Sequence, residues 1–217
     1  MVLATGGILH AQAEGQYRDF HLGATLVSIT TLTGAPMSSA TTLHQRPAVL
    51  QALQWTPGSS TTAASGSLGA ALQTIVFSFY NDQLSRLMID YDRSRTEAMT
   101  DDDMIAALTT IYGLPSTTSG KDAVDRDYES VASRRVARWT TPDYSVTLSR
   151  WAYGTAFRLV VESTRLTTLA NTAEARALVL DAEETPYRDA TRGRREDQDR
   201  QAARDKTRSA NKATFQP

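Results

Sequence analysis

Cysteine is missing from this sequence of 217 residues, and histidine is scarce, with three residues. Without cysteine there is no disulfide, no thiolate zinc site, no iron–sulfur cluster and no cysteine nucleophile. His21 and His44 do not form a His-x-x-x-His pair, and neither sits beside a cluster of carboxylates. We therefore expect no bound metal and no cofactor.

Signatures of catalysis are also missing. No glycine-rich stretch ends in the Gly-Lys-Ser/Thr sequence that cradles phosphates, and no serine lies in a Gly-x-Ser-x-Gly motif. Asp101, Asp102 and Asp103 are adjacent, so they lack the alternating ligand positions of a calcium loop. The sequence thus predicts a protein that is not an enzyme.

The sequence also lacks a large excess of charge of one sign, and it lacks long apolar runs. The formal net charge is −1 and the isoelectric point is about 6.3, so no overall field attracts nucleic acid or an anionic membrane. No stretch approaches the roughly 18 apolar residues that cross a bilayer. We expect no nucleic-acid partner and no transmembrane segment, while the hydrophobic content of 41% is enough for a core.

The first residues carry a processing signal. Residues 2–9 are apolar and rich in small side chains, and Ala11 and Ala13 then fit a signal-peptidase site that would cut before Glu14. No lysine or arginine precedes Arg18, so the usual basic start of a signal peptide is missing. We interpret residues 1–13 as a signal-peptide remnant and expect a periplasmic or secreted protein; the alternative is a disordered N-terminus.

Residues 75–92 form the centre of the predicted fold. Apolar side chains alternate with smaller or more polar ones on both sides of Asn81 and Asp82: Ile75, Phe77, Phe79, Leu87, Ile89 and Tyr91. Asparagine and aspartate tolerate the left-handed backbone of a tight turn. The pattern predicts a β-hairpin with one apolar face that the rest of the chain must cover.

Two helices are predicted from their end signals. In residues 100–115, Thr100 and Asp103 fit a capping box and Gly113 ends the helix. In residues 22–36, Thr25 is an acceptable N-cap and Gly34 a stop. Further strands are predicted at 49–55, 135–139, 144–150 and 157–164, with a loop at 41–47.

An internal repeat connects the two halves. Residues 29–36 match residues 108–115 in order and spacing, and each copy is followed by a strand ending in Trp-Thr, at Trp55 and at Trp139. We predict an α+β fold of two tandem helix-plus-antiparallel-strands repeats, residues 14–98 and 99–171. Both tryptophans are expected to be core anchors because an indole buries a large area.

A family resemblance follows from the first copy. The segment Gly23-Ala24-Thr25, with Ile29, Leu32, Gly34 and Pro36 after it, resembles the opening of the SmpA/OmlA outer-membrane lipoproteins. The tandem layout of residues 17–164 is similar to the β-lactamase-inhibitor-protein-like fold, and this resemblance implies an envelope interaction module. Ala24 replaces the usual methionine, and without a lipobox cysteine lipid anchoring is not implied.

The C-terminal residues 172–217 differ in composition. Residues 172–184 are predicted to be helical, with Thr185 and Pro186 capping and restarting a second helix. Residues 188–212 carry both signs of charge and almost no large apolar residue, so they form either a solvated helix or a disordered arm. The interleaved acids repel phosphate, which favours a partner-binding arm over a nucleic-acid arm.

The candidate interaction surface combines aromatic residues at a turn with arginines of the arm. It consists of Trp151, Tyr153, Arg194, Arg195, Arg200 and Arg204. We predict an exported, non-enzymatic module that binds an envelope protein through the sheet face or the arm; the sequence leaves the identity of that protein open. The alternative is an enzyme with a site between the two repeats, in a concave pocket containing carboxylates or His21 and His44.

Overall fold

A computed structural model describes residues 15–58, 71–118, 133–151 and 156–214. The described strands are β1 Gln16–Tyr17, β2 Phe20–His21, β3 Thr41–His44, β4 Leu50–Trp55, β5 Leu72–Tyr80, β6 Gln83–Tyr91, β7 Thr117–Thr118, β8 Ser133–Thr140, β9 Tyr144–Trp151 and β10 Phe157–Ser163. The described helices are α1 Leu26–Thr33, a 3-10 turn Met37–Ser39, α2 Arg93–Thr96, α3 Asp101–Tyr112 and α4 Thr164–Thr214. This confirms the predicted α+β class.

The strands form one large antiparallel sheet and one small one. The eight-stranded sheet has the order β3-β4-β5-β6-β10-β9-β8-β7, and β1 pairs with β2. By its internal contacts the chain divides into two units, Met1–Glu174 and Ala175–Pro217. The boundary falls inside α4, so the first unit contains the whole sheet.

The predicted central hairpin is confirmed as β5 and β6. Asn81 and Asp82 form its turn with φ of 47° and 62°, the positive pair of values typical of a type I′ turn. Their side chains also accept hydrogen bonds from outside the hairpin: Asn81 Oδ1 from Val49 N at 2.9 Å, and Asp82 Oδ1 from Leu26 N at 3.0 Å. The turn therefore fixes the start of α1 and the residue before β4.

Helices α1 and α3 begin and end at the predicted residues. Thr25 accepts a hydrogen bond from Ser28 N, and Gly34 ends α1 with a φ of 68°. Thr100 and Asp103 form a capping box at the start of α3, and Gly113 follows its end. Residues at each end thus mark the boundaries of both helices.

One face of the large sheet is the hydrophobic core, here called the core face. Its central row crosses six strands through directly paired residues: Leu53, Phe77, Leu87, Val161, Val146 and Trp139. These side chains are at most 2% exposed, and residues of α1 and α3 pack into the same cluster. Burying each one contributes about 1.5–3 kcal/mol. The predicted burial of Trp55 and Trp139 is confirmed.

The prediction of a loop over residues 41–47 is wrong at its start. Thr41–His44 is strand β3, which pairs with β4 at the edge of the sheet. Thr41, Thr42 and Leu43 are exposed. The strand therefore lacks the alternating buried apolar residues by which a strand is recognised in a sequence. The sequence also predicts a connection rich in small residues at 57–71 and a polar loop at 116–133; residues 59–70 and 119–132 of these lie outside the described residues.

Helix α4 differs from the prediction of two helices meeting at Pro186. It is one helix of 51 residues with Pro186 inside it, and it begins at Thr164 rather than at residue 172. Both Thr185 and Pro186 are exposed, so solvent can bind the carbonyl group that the proline leaves without a donor. The charged region is helical, with ion pairs from Arg192 to Asp189 and from Arg200 to Asp197. None of the described helices is long and apolar enough to cross a bilayer.

Candidate functional site

The second face of the large sheet is unlike the core face, and it is called the open face here. Its central row also follows direct strand pairs, from β4 to β8: Gln54, Val76, Met88, Val160, Thr147 and Arg138. Three adjacent apolar side chains therefore occupy the middle of the row. Polar side chains stand at both of its ends.

Charged rows lie on either side of the central row, each with an ion pair between β6 and β10. Arg158 binds Asp90 through two hydrogen bonds, Nε to Oδ1 at 2.6 Å and Nη2 to Oδ2 at 2.9 Å. On the other side, Arg86 Nε donates to Glu162 Oε2 at 3.1 Å, and Ser145 Oγ lies 3.3 Å from Glu162 Oε1. The central apolar residues are thus framed by paired charges that remain about one quarter to two fifths exposed.

The two faces of the sheet differ in the solvent exposure of their apolar side chains. Phe77 and Leu87 on the core face are 0% exposed, whereas their sequence neighbours Val76 and Met88 on the open face are half-buried. Val160 is also half-buried between Leu159 and Val161, which are both fully buried. The open face therefore leaves apolar surface in contact with solvent in the middle of a sheet.

The β8 end of the open face is basic. Arg138 lies between Thr117 of β7 and Thr147 of β9 in the pairing register, and its Nε is buried without a hydrogen-bond partner among the described residues. Arg135 stands one row away on the same strand, paired with Ser149. Arg138 as a whole is only half-buried, and an arginine has five donors in a fixed planar arrangement, so this end of the face is suited to an acceptor from a partner.

The first turns of α4 cover the part of the open face nearest the turn of the central hairpin. Leu50 and Tyr80, paired across β4 and β5, are packed with Ala170 and Ala173 of α4. Thr167 Oγ1 donates to the main-chain oxygen of Ser85 in β6 at 3.2 Å. This helical segment crosses β6, β5 and β4 beside the charged row of Arg86, and it forms one wall of the open face.

The sequence-predicted site residues lie in both units of the chain. Trp151 is on the open face at the end of β9, half-buried, with the Arg158 guanidinium 4.7 Å from its ring centroid. Tyr153 lies outside the described residues. The predicted arginines are exposed residues of α4 in the second unit: Arg194, Arg195, Arg200 and Arg204.

The sequence predicts binding through a sheet face or the arm, but it does not single out the residues of the central row. A signal for it exists, because the strands are apolar at alternate positions on both sides: Val76 lies between Ile75 and Phe77, and Val160 between Leu159 and Val161. A strand covered on one face only is expected to be polar on the other. Apolar residues on both faces therefore indicate a second apolar surface on this sheet.

The residues weighed for catalysis form no cluster. His21 ends β2 in the small sheet, whereas His44 ends β3 at the edge of the large sheet. Within the described residues no group of three or more His, Asp or Glu side chains is placed to hold a metal ion. A depression on α4 is lined, as far as the described residues go, by one helical segment: Ala203, Arg204, Thr207, Arg208, Asn211 and Lys212. One helix side cannot enclose a substrate, so this depression is exposed helix surface.

No family model, no curated protein and no solved structure matches the chain. The resemblance of residues 23–36 to the SmpA/OmlA lipoproteins therefore stays a prediction from the sequence.

Proposed function

We propose that this chain is a non-enzymatic protein-interaction module of the cell envelope that binds its partner through the open face. The observation that carries the proposal is the half-buried apolar row of Val76, Met88 and Val160, framed by the ion pairs Arg158 with Asp90 and Arg86 with Glu162. An apolar centre inside a polar rim is the usual anatomy of a protein–protein interface. Small-molecule sites are instead concave and enclosed.

The predicted tandem repeat belongs to this proposal. The order of the sheet supports it, because β3 to β6 and β7 to β10 each form a run of consecutive strands, and the last strands of the two runs meet in the middle. A capped helix precedes each run, α1 after Thr25 and α3 after Thr100. Duplication of a four-stranded unit would explain how so short a chain forms a broad sheet with one face free for a partner.

Export is the second part of the proposal, and it rests on Ala11 and Ala13 before Glu14. Expression of the full chain in a Gram-negative host with intact signal peptidase tests it. We expect intact-mass measurement of the protein from the periplasmic fraction to give a chain that begins at Glu14. Uncleaved protein confined to the cytoplasm would contradict export.

Affinity capture with matched variants tests the interaction. The full chain, its Met88→Lys variant and its Val27→Lys variant are each used as bait in a native envelope extract. Met88 lies in the centre of the open face, whereas Val27 is an apolar residue of α1 that is 54% exposed. A buried charge at the centre of an interface is costly, while a charge on a free helix surface is not.

The expected result is a partner that both the wild type and Val27→Lys retain and that Met88→Lys loses. Circular dichroism and thermal unfolding of the three proteins establish that the substitutions leave the fold intact. Capture that is unaffected by Met88→Lys would place the interaction elsewhere and refute the role of the open face.

A further inference from the structure

We propose that the occupant of the open face is an amphipathic helix of a partner protein. The helix lies across the strands along the row of Val76, Met88 and Val160, with its C-terminal end over Arg138. This inference rests on the proposed function and adds the secondary structure and the direction of the partner.

The spacing of the row is the first reason. Neighbouring strands of a sheet are about 4.8 Å apart, so Val76, Met88 and Val160 on β5, β6 and β10 present one apolar side chain at each such step. A helix presents apolar side chains along one face at about 5–6 Å, between residues three or four apart. The two spacings are close enough for one helical turn to lie over each strand. In an extended peptide on this path, side chains on one face would recur about every 6.6 Å. They would not match the spacing of the strands beneath.

The chain itself contains the same arrangement at the border of the open face. Ala170 and Ala173 of α4 pack on Tyr80 and Leu50, and Leu166 of the same helix is 4% exposed. Residues 166, 170 and 173 have the i, i+4, i+7 spacing of a helix that crosses strands. Tyr80 and Val76 are four residues apart on β5, about 13 Å. A second helix over the central row would therefore lie beside α4 with little more than a normal interhelical distance between them.

Charge complementarity sets the direction. On the central and flanking rows the acids Asp90 and Glu162 are each bound by an arginine, Arg158 and Arg86. The β8 end adds Arg138, whose Nε has no hydrogen-bond partner among the described residues. The C-terminus of a helix carries a partial negative charge. The favourable orientation therefore places the helix C-terminus, with any acidic residue of its last turn, over Arg138.

A displayed library of helical peptides tests the inference without knowledge of the partner. The library holds peptides of about five turns with random residues on one face, and the bait is the full chain. Counter-selection uses Met88→Lys, and Val27→Lys is the matched control. We expect enriched peptides to have apolar residues at helical spacing and acidic residues in the last turn. Met88→Lys should weaken their binding at least about tenfold, and Val27→Lys should leave it unchanged.

A charge exchange then tests the direction. One enriched peptide is made with its last-turn acids changed to lysine, and both forms are titrated against the wild type and Arg138→Gln. We expect the exchange to weaken binding to the wild type about three- to tenfold and to have little effect on Arg138→Gln. If Met88→Lys unfolds, Val160→Thr, which keeps the size of the side chain, replaces it.

Several outcomes would overturn the inference. Enriched peptides with period-two patterning would indicate an extended partner, and a charge preference that persists in Arg138→Gln would refute the direction. Concentration-dependent dimerisation that Met88→Lys abolishes would make a second copy of this chain the occupant. The library could yield no peptide whose binding depends on Met88, while capture from the extract does depend on Met88. That result would refute a helical partner and leave the proposed function standing. Capture independent of Met88 would overturn both.

Discussion

Trp55 and Trp139 show how one hydrogen bond distinguishes two otherwise similar buried residues. Both are 2% exposed near the ends of β4 and β8. Trp139 Nε1 donates to the main-chain oxygen of Gly113 at 2.8 Å, which ties β8 to the end of α3. Trp55 Nε1 is buried without a partner among the described residues. A buried donor without an acceptor loses its hydrogen bonds to water and gains none in the protein, which lowers the stability of the folded state.

We therefore predict that Trp139→Phe destabilises the protein more than Trp55→Phe. Both substitutions remove a similar volume, but only the first also breaks a hydrogen bond. The difference in the free energy of unfolding should be about 1 kcal/mol, measured by urea denaturation of both variants. Equal losses would mean that the Trp139 bond contributes nothing net.

Asp101 joins the start of α3 to the sheet through two arginines. Its Oδ2 is paired with Arg134, and its Oδ1 accepts a hydrogen bond from Arg150 at 3.0 Å. Burial alone would raise the pKa of this carboxyl group, but the hydrogen bonds and charges of Arg134 and Arg150 outweigh it, and the pKa lies below its ordinary value of 3.8. The folded state thus prefers the ionised form.

The stabilisation by Asp101 should accordingly depend on pH. Because the folded-state pKa is lowered, the contribution is complete above the ordinary value and is lost as the pH falls from about 4 through the folded-state pKa. Urea denaturation of the wild type and Asp101→Asn from neutral pH to about pH 2 should show a difference that narrows on acidification. A constant difference would mean that the ion pairs are not responsible.

At the scale of single elements, the turn of the central hairpin combines a conformational requirement with a capping contact. Asp82 has a φ of 62°, and its side chain accepts from Leu26 N at the start of α1. Glycine adopts the positive φ easily but cannot accept the hydrogen bond from Leu26 N, and alanine does neither. We expect Asp82→Ala to cost about 1–2 kcal/mol and Asp82→Gly clearly less, by chemical denaturation. Equal costs would show that the backbone conformation is unimportant.

Residues 188–214 of helix α4 should be the least protected part of that helix. From residue 188 onward the described side chains are exposed, apart from Gly193, and its ion pairs are on the surface, where each contributes about 0.3–0.5 kcal/mol. Hydrogen exchange of the full chain, read by mass spectrometry, should show rapid exchange in residues 188–214 and strong protection in β5, β6 and β10. Comparable protection in both regions would indicate that a partner or a second copy covers the helix.

At the scale of the whole molecule, local signals were predictable from the sequence and distant pairings were not. The hairpin turn at Asn81 and the capping box at Thr100 depend on a few neighbouring residues. The central pairing of β6 with β10, in which Leu87 opposes Val161, joins residues far apart in the chain. Of the candidate site, Trp151 was predicted. The row of Met88 was not, because it only exists once β6 and β10 are side by side.

Two buried tyrosines and a partly buried one connect elements from distant parts of the chain. Tyr17 of β1 and Tyr91 at the end of β6 are close enough to influence each other's ionisation, and Tyr112 OH at the end of α3 donates to the main-chain oxygen of Gln16 at 2.8 Å. Burial raises the pKa of each of these phenols above its ordinary value of 10.0, most strongly at Tyr91 and Tyr112. Their ionisation is therefore opposed by the folded state and favoured by the unfolded one.

Alkaline solution should consequently unfold the molecule as a whole. For groups whose pKa is raised by folding, the stabilisation is complete below the unfolded value of about 10 and declines as the pH rises above it. Urea denaturation between about pH 8 and 11.5, with tyrosinate absorbance in parallel, should show stability falling as the buried phenols ionise. Tyr112→Phe should make the decline shallower, whereas Tyr187→Phe, at an arm residue that is 77% exposed, should leave it unchanged. Ionisation of all the tyrosines before any loss of structure would contradict the role of this cluster.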